Sequence, residues 1–217
     1  MTEHHFPTTR TARYSQLGQT GPSTRRVWFV CHGYGQLAAY FIRHFAPLTE
    51  ADPHTAVVAP EGLSRFYLHG NGGRVGASWM TRDDRLNEIE DHVNFLNQLA
   101  AHVLAPCPAG VEIIVLGFSQ GTATVGRWLL RAPFRPARLI LWAGGFPDDT
   151  EPAAAAAFFH NLPLALVVGR TDEYVTPERL AAQQALLHQL GAQPELIQFD
   201  GGHVLDAAVL RELVAGG

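Results

Sequence analysis

Short apolar runs alternate with stretches of helical periodicity along most of the chain. The apolar runs occupy residues 27–31, 55–59, 112–116, 139–142, 164–168 and 196–199, and a turn-forming or glycine-rich segment follows each of them. Such runs are typical of buried strands, and the periodic stretches between them are typical of amphipathic helices. The alternation therefore predicts an α/β fold with a mostly parallel central sheet and helices on both faces.

Four segments add detail to this pattern. Residues 13–17 are predicted to form an outer strand, and apolar residues at helical spacing predict one core-facing helix over residues 37–48. Residues 63–81 contain four glycines and several aromatic residues without a clear period, which favours a long loop over one face, of a kind that is often functional. Residues 1–10 are polar and are predicted to be a disordered tail. The remaining residues, 11–217, are predicted to form a single domain.

Composition and charge narrow the classes of function. The net charge of -4 provides no positive surface for nucleic acid. No apolar run is long enough to span a bilayer, and residues 1–10 contain no secretory signal, so we expect a cytoplasmic location. All 16 basic residues are arginine, which excludes Schiff-base, P-loop and Ser–Lys chemistry. The two cysteines, Cys31 and Cys107, are too few for a disulfide framework and are expected to be reduced and structural.

The candidate chemistry lies on the loops that follow the predicted strands. In a parallel sheet, functional side chains cluster at the carboxyl ends of the strands. Residues 117–121, Gly-Phe-Ser-Gln-Gly, join a predicted strand to a predicted helix. In that context a Gly-x-Ser-x-Gly turn holds its serine at the tip of a tight, strained bend, and its glycines allow the strand and the helix to pass closely. Ser119 is therefore the candidate nucleophile.

A serine nucleophile needs a histidine to take its proton and an acid to orient that histidine. His203 lies in a Gly-Gly turn after the last predicted strand, and Asp172 directly follows the strand before it. The order Ser119, Asp172, His203 is the order used on α/β-hydrolase sheets. Residues 148–149 are also acidic but follow an earlier strand, and Asp200 better suits the role of turn former.

The tetrahedral intermediate of such a reaction needs two N–H donors for its oxyanion. The backbone N–H of Gln120 is one candidate, because it follows the nucleophile in the turn. The second is expected from the glycine-rich loop at residues 32–35, His-Gly-Tyr-Gly, most plausibly from Tyr34. His32 is expected to shape this loop rather than to transfer protons. The alternative is that the loop is only a tight strand-to-helix connection.

At this point the chain resembles the α/β-hydrolase superfamily, and within it the phospholipase/carboxylesterase branch that includes acyl-protein thioesterases. The resemblance rests on HGYG at 32–35, GFSQG at 117–121, GRTDEYV at 169–175 and GGH at 201–203. The segment GASW at 76–79 is similar to a tryptophan-containing loop beside the serine of such enzymes. The resemblance implies hydrolysis of carboxylic esters or thioesters through an acyl-enzyme, without a metal or an organic cofactor.

Substrate contacts are predicted on the loops of the active face. The active-face loops and the resemblance suggest five substrate-binding residues, which are Gly35, Trp79, Met80, Phe146 and Val175; simple loop packing is the alternative for the aromatic ones. The chain reads HGYGQ where the branch more often has an acid, and Trp79 is followed by Met80 and Thr81, so substrate preference stays open. No insertion between strands is large enough for a lid domain, so an open cleft for small to medium acyl groups is expected.

The sequence leaves three functions open. The favoured one is a serine esterase in which Ser119 attacks the carbonyl and His203 acts as base, with activity rising as His203 loses its proton. The same three residues could instead cleave lactones or peptides. The fold could also serve as a catalytically silent binding module, although the intact set of three residues argues against this. Homodimerisation is equally open.

Overall fold

A seven-stranded sheet forms the centre of the computed structural model, which describes residues 1–215, with side chains through residue 213. The strands are β1 (Tyr14–Leu17), β2 (Arg26–Cys31), β3 (Thr55–Pro60), β4 (Ser64–His69), β5 (Gly72–Ser78), β6 (Glu112–Phe118), β7 (Arg138–Trp142), β8 (Leu164–Gly169) and β9 (Glu195–Phe199). The helices are α1 (Ala38–Phe41), α2 (Ala46–Ala51), α3 (Arg85–Leu104), α4 (Gln120–Leu129), α5 (Pro152–Phe159), α6 (Pro177–Gln189) and α7 (Ala207–Ala215).

The strand order in the large sheet is β1-β3-β2-β6-β7-β8-β9. Within this sheet, as far as the structure describes it, only the β1–β3 pair is antiparallel; β2 pairs in parallel with both β3 and β6, and the remaining pairs are parallel as well. This confirms the predicted α/β fold with a mostly parallel sheet, and the outer strand at residues 13–17. No large lid domain interrupts the described part of the chain.

The central strands are almost continuously apolar because helices cover both faces of the sheet. In β2, Val27, Phe29 and Cys31 pack into one core together with α3 and α4. Trp28 and Val30, which alternate with them, pack into a second core with α1, α2 and α7. Successive strand residues point to opposite faces, so burial of both faces produces a continuous apolar run rather than an alternating one.

The helix predicted over residues 37–48 is interrupted. It consists of α1, a 3₁₀ turn over Ile42–Phe45, and α2, which begins just before Pro47. Phe41, Phe45 and Leu48 are buried as expected, but Tyr40 is 61% exposed. Proline lacks the N–H of a helix interior and is tolerated only in the first turn of a helix, so Pro47 requires a new helix to begin there.

The long loop predicted at residues 63–81 is instead mostly a β-hairpin. Strands β4 and β5 form a separate two-stranded antiparallel sheet, and Gly70 and Asn71 make its two-residue turn. Burial alternates along β4, with Phe66 and Leu68 partly buried and Tyr67 exposed. The sequence obscured this period because an aromatic residue occupies an outward position and β5 contains three glycines.

Three further sequence predictions concern residues 1–10, membrane-spanning segments and the two cysteines. Residues 1–10 have no regular secondary structure here, and their disorder stays a prediction. Among the described residues, no helix is both long and apolar enough to cross a membrane. Cys31 and Cys107 are both free thiols, and burial raises the pKa of the Cys31 thiol, which suits the structural role predicted for it.

His92 on α3 is completely buried beside Trp79, and neither of its ring nitrogens has a hydrogen-bond partner among the described residues. Burial lowers its pKa to about 4; Arg127 and Arg131 add to the shift, while the backbone groups of Trp79 and Glu88 oppose it. Since the unfolded chain binds this proton near pH 6.5 and the folded chain does not, acid favours unfolding.

We therefore expect the free energy of unfolding to fall as the pH drops from about 6.5 to about 4, with a His92 contribution of about 3 kcal/mol. Chemical denaturation at a series of pH values measures this loss. The variant His92→Leu should lose much of the pH dependence in that window, whereas His188→Leu, at an exposed position on α6, should retain it. An identical pH dependence in wild type and His92→Leu would contradict the assignment.

Candidate active site

Ser119 occupies the single position between β6 and α4. Its φ of 53° and ψ of -118° are an unusual combination for a residue with a side chain, and they cost of order 1–3 kcal/mol. The backbone N–H of Ser119 donates to the carbonyl of Trp142 at the end of β7, at 2.8 Å. The neighbouring strand therefore holds the strained bend in place, and Ser119 lies at the carboxyl edge of the sheet.

Two glycines allow this bend. A Cβ atom on Gly117 would lie 2.5 Å from the carbonyl oxygen of Gly121. A Cβ atom on Gly121 would lie 2.2 Å from the carbonyl oxygen of Cys31 on the adjacent strand. Both distances are far inside van der Waals contact, so the prediction that close passage of strand and helix requires these glycines is confirmed.

Ser119, His203 and Asp172 form one chain of hydrogen bonds. The His203 Nε2 atom lies 2.9 Å from Ser119 Oγ, and its Nδ1 atom lies 2.8 Å from Asp172 Oδ2. The side chain of Asp172 is fully buried and that of His203 is 17% exposed. The bond to the carboxylate favours the tautomer with hydrogen on Nδ1, so Nε2 is left as an acceptor for the Ser119 hydroxyl.

Asp172 is held by the backbone that follows it. Its Oδ1 atom accepts the N–H groups of Tyr174 and Val175 at 2.8 and 3.0 Å, so only Oδ2 remains for His203. The turn that carries His203 reaches Asp172 because Gly169 has no side chain: a Cβ atom there would lie 2.2 Å from the carbonyl oxygen of Gly201. The acid and the histidine are thus fixed relative to each other before any substrate arrives.

The backbone N–H groups of Tyr34 and Gln120, which the sequence predicted as oxyanion donors, have no hydrogen-bond acceptor among the described residues. Gln120 begins α4, where the helix dipole favours negative charge. The loop that carries Tyr34 touches the serine, since a Cβ atom on Gly33 would lie 3.1 Å from Ser119 Cβ. Both N–H groups are therefore unbonded within the described protein and belong to segments that contact or adjoin Ser119, and their role as oxyanion donors stays a prediction.

His32 is fully buried and shapes the loop that carries Tyr34, as the sequence predicted. Its Nε2 atom accepts the Gly62 N–H at 3.0 Å, and its Nδ1 atom lies 2.7 Å from the Gly33 carbonyl. Burial lowers the pKa of His32, although the Gly33 bond and the Glu61 carboxylate oppose the shift. A neutral ring with hydrogen on Nδ1 satisfies both bonds, so His32 acts as a fixed structural group.

Two of the five predicted substrate contacts have buried side chains. Trp79 is 2% exposed and donates its indole N–H to the carbonyl of His32 at 2.8 Å. Phe146 is 3% exposed and packs against Phe159, with ring centroids 4.8 Å apart. Both side chains pack as the alternative of simple loop packing requires, and their contact with substrate stays a prediction.

The other three predicted contacts are Gly35, Val175 and Met80. Gly35, with a φ of 74°, belongs to the loop that carries Tyr34 and donates its N–H to the Ala77 carbonyl. Val175 belongs to the loop that holds the acid, and its side chain is partly buried. Met80 is partly buried as well, with its sulfur 3.7 Å from an Arg127 nitrogen. Their contact with substrate stays a prediction.

Aromatic residues that were not among the five predicted substrate contacts lie beside the histidine and in the oxyanion loop. The His203 ring lies between Phe118, at 5.1 Å, and Tyr174, at 4.7 Å between centroids. Tyr34 stacks on Phe66 of the hairpin at 5.1 Å. Tyr34 and Tyr174 are more than half exposed, so they form an apolar rim around the site. Tyr174 could have been found from its place in the loop between Asp172 and Val175.

A cavity of about 520 Å³ lies elsewhere, between residues 6–12 and α3. It is lined by Leu63, Trp79, Phe95 and several polar residues, and none of Ser119, Asp172 or His203 borders it. Among the described residues, no three His, Cys, Asp or Glu side chains are grouped as metal ligands.

The chain is similar to one protein family and to several proteins of known structure. Residues 19–214 match a family model described as Phospholipase/Carboxylesterase. The solved structure of esterase PE8 is 22% identical, covers 95% of this chain and 98% of its own, and has a TM-score of 0.67. Acyl-protein thioesterase 2 from Zea mays is 18% identical over 95% of this chain and 97% of its own, with a TM-score of 0.71.

A carboxylesterase from Mesorhizobium loti is 22% identical over 95% of both chains, with a TM-score of 0.70. At these identities the structural similarity establishes the fold alone. A comparison with curated proteins finds no match by sequence.

Proposed function

The chain belongs to the phospholipase/carboxylesterase family of ester-hydrolysing enzymes, and on this premise we propose that it cleaves esters of small to medium acyl chains through an acyl-enzyme formed on Ser119. The observation that carries the proposal is the unbroken chain of hydrogen bonds from Asp172 through His203 to Ser119. The two free N–H groups beside Ser119 support it further.

In the first half of the reaction, Ser119 Oγ attacks the carbonyl carbon of the ester while His203 Nε2 accepts the hydroxyl proton. The carbonyl oxygen becomes an oxyanion and accepts hydrogen bonds from the backbone N–H groups of Tyr34 and Gln120. Asp172 stabilises the protonated imidazole. His203 then returns its proton to the leaving alkoxide, which departs as an alcohol and leaves the acyl group on Ser119.

The second half of the reaction repeats these steps with water. His203 Nε2 removes a proton from a water molecule, which attacks the acyl carbon, and the same two N–H groups bind the second oxyanion. Collapse of this intermediate breaks the bond to Ser119 Oγ, and His203 protonates that oxygen. The carboxylic acid leaves and the enzyme returns to its starting state.

The surroundings of Ser119 support small to medium acyl chains. The exposed rings of Tyr34 and Tyr174 and the partly buried Phe66 offer apolar contact at the rim. The described chain contains no large lid that could enclose a long chain. Thioesters fit the same geometry, since the leaving group would depart as a thiol. A cytoplasmic location and homodimerisation stay predictions.

Hydrolysis of p-nitrophenyl esters with acyl chains of 2 to about 16 carbons tests the chain-length proposal. We expect kcat/KM to rise over the short chains and to stop rising at medium length, because an open rim buries only the first methylene groups and the others add no binding energy. A maximum at the longest chains would contradict the proposal. Matched thioesters measured in parallel decide between the two leaving groups.

A further inference from the structure

The side chain of Gln120 is hydrogen-bonded to the segment at the end of β5. Its Oε1 atom accepts the backbone N–H of Trp79 at 3.1 Å, and its Nε2 atom donates to the carbonyl of Met80 at 2.8 Å. The Ser78 hydroxyl lies 3.2 Å from Nε2 and itself donates to the Met80 carbonyl. The carboxamide thus binds a donor and an acceptor on consecutive residues.

The segment that Gln120 binds also holds the second donor. Gly35 donates its N–H to the carbonyl of Ala77 at 2.8 Å, and the N–H of Ala77 donates to the carbonyl of Gln36 at 3.1 Å. The end of β5 is therefore paired with the loop that carries Tyr34. Gly76 permits this approach, since a Cβ atom there would lie 2.5 Å from the Gly35 carbonyl oxygen.

Trp79 connects Gln120 to His32, the residue before the loop that carries Tyr34. Its backbone N–H donates to the side chain of Gln120, and its indole N–H donates to the carbonyl of His32 at 2.8 Å. His32 directly precedes the loop that carries Tyr34, and its ring lies 5.1 Å from the indole of Trp79. Both donor segments are thus hydrogen-bonded to one residue, Trp79, through its backbone N–H and its indole N–H respectively, and its buried side chain moves little in a close-packed core.

We infer that the carboxamide of Gln120 is a positioning group, which fixes the Tyr34 N–H relative to the Gln120 N–H so that both meet one oxyanion. The inference rests on the proposed function. Two donors stabilise an oxyanion only when both are within about 3 Å of its position, and here they come from loops 86 residues apart in sequence. The two loops follow the paired strands β2 and β6, but no described backbone hydrogen bond joins residues 33–36 to the turn at Ser119. Beyond the end of the strands, the hydrogen-bonded link between them passes through the segment from Ala77 to Met80.

The variant Gln120→Met separates this role from the others. It preserves the length of the side chain and leaves the backbone N–H of Gln120 in place, but removes both carboxamide bonds. With a short-chain p-nitrophenyl ester we expect kcat to fall about 10- to 100-fold while KM changes by less than about twofold, because only the transition state carries the oxyanion. Gln189→Met, at an exposed helix position, should leave both constants unchanged.

A trifluoromethyl ketone with the same acyl chain provides the second readout. Ser119 Oγ adds to the carbonyl carbon of this inhibitor and forms a tetrahedral adduct with an oxyanion. The affinity of Gln120→Met for the inhibitor should therefore be weaker than that of the wild type by the same factor by which its kcat is lower. A merely structural role for Gln120 would lower the melting temperature and leave kcat and inhibitor affinity of the folded variant at the wild-type values, and that result would overturn the inference. If Gln120→Met does not fold, Gln120→Asn, which cannot reach both partners, gives the same comparison.

The backbone amide resonance of Tyr34 distinguishes failure of this inference from failure of the proposed function. If Gln120 sets the position of the loop, the ¹⁵N–¹H cross-peaks of Tyr34 and Gly35 shift in Gln120→Met and not in Gln189→Met, whether or not the wild type hydrolyses an ester. Unchanged cross-peaks overturn the inference even if the wild type is active. A wild type that neither hydrolyses esters nor reacts with a fluorophosphonate overturns only the proposed function.

Discussion

Replacing Ser119 with alanine is expected to reduce kcat for ester hydrolysis by about 10⁵-fold or more. The variant lacks the oxygen that attacks the carbonyl, and no other described hydroxyl lies within hydrogen-bond distance of His203. Alanine has the same Cβ atom as serine, so the strained bend at this position is kept and the fold should survive. Initial rates with the best p-nitrophenyl ester measure the loss, and the rate that remains reflects the donors and binding alone.

Two observations complete this test. A fluorophosphonate should add one phosphonyl group to the wild type and none to Ser119→Ala, as seen by intact mass. Ser23→Ala, which removes an exposed hydroxyl away from the site, should match the wild type in both assays. Ester hydrolysis by Ser119→Ala at more than about one per cent of the wild-type rate would exclude Ser119 as the nucleophile.

Replacing Asp172 with asparagine is expected to lower kcat by about 10⁴-fold with little change in KM. The amide oxygen can still accept the N–H groups of Tyr174 and Val175, so its NH₂ group is turned toward His203 Nδ1. A donor at that position favours the tautomer with hydrogen on Nε2, which cannot accept the proton of Ser119. The negative charge that stabilises the imidazolium is lost as well.

Asp200→Asn is the matched control for this variant. Asp200 lies three residues before His203, is 96% exposed and pairs only with Arg170 among the described residues, so its loss should change kcat by less than about twofold. Steady-state kinetics of the two variants beside the wild type decide between the two carboxylates. A large loss in Asp200→Asn with wild-type activity in Asp172→Asn would show that the acid has been assigned wrongly.

The chemical part of the site could be predicted because each of its residues has a local signal. Ser119 is recognisable from glycines two positions away on either side, and Asp172 and His203 directly follow apolar runs that form β8 and β9. In a parallel sheet the carboxyl ends of strands meet at one edge, so an assignment of strands is already a prediction of which side chains meet. The distances of 2.8 and 2.9 Å along the three residues agree with that logic.

The hairpin and the aromatic residues were harder to predict because their signals are not local. Tyr67 faces outward and Phe66 inward on β4 although both are aromatic, so hydrophobicity alone shows no period there. Trp79 and Phe146 were placed correctly on active-face loops, but a loop position does not say whether a ring points outward or into the core. Their burial depends on His32 and Phe159, which are distant from them in sequence.

By itself, the sequence determined the strands of the large sheet, the strained serine turn and the three residues of the hydrogen-bonded chain, since these follow from local sterics and from the geometry of a parallel sheet. Only the tertiary structure decided what holds the two free N–H groups together. The carboxamide of Gln120 meets Trp79 and Met80 across 40 residues of chain, and the oxyanion loop meets Ala77 across a similar span. Such contacts depend on how separate elements pack, and no local pattern of residues specifies them.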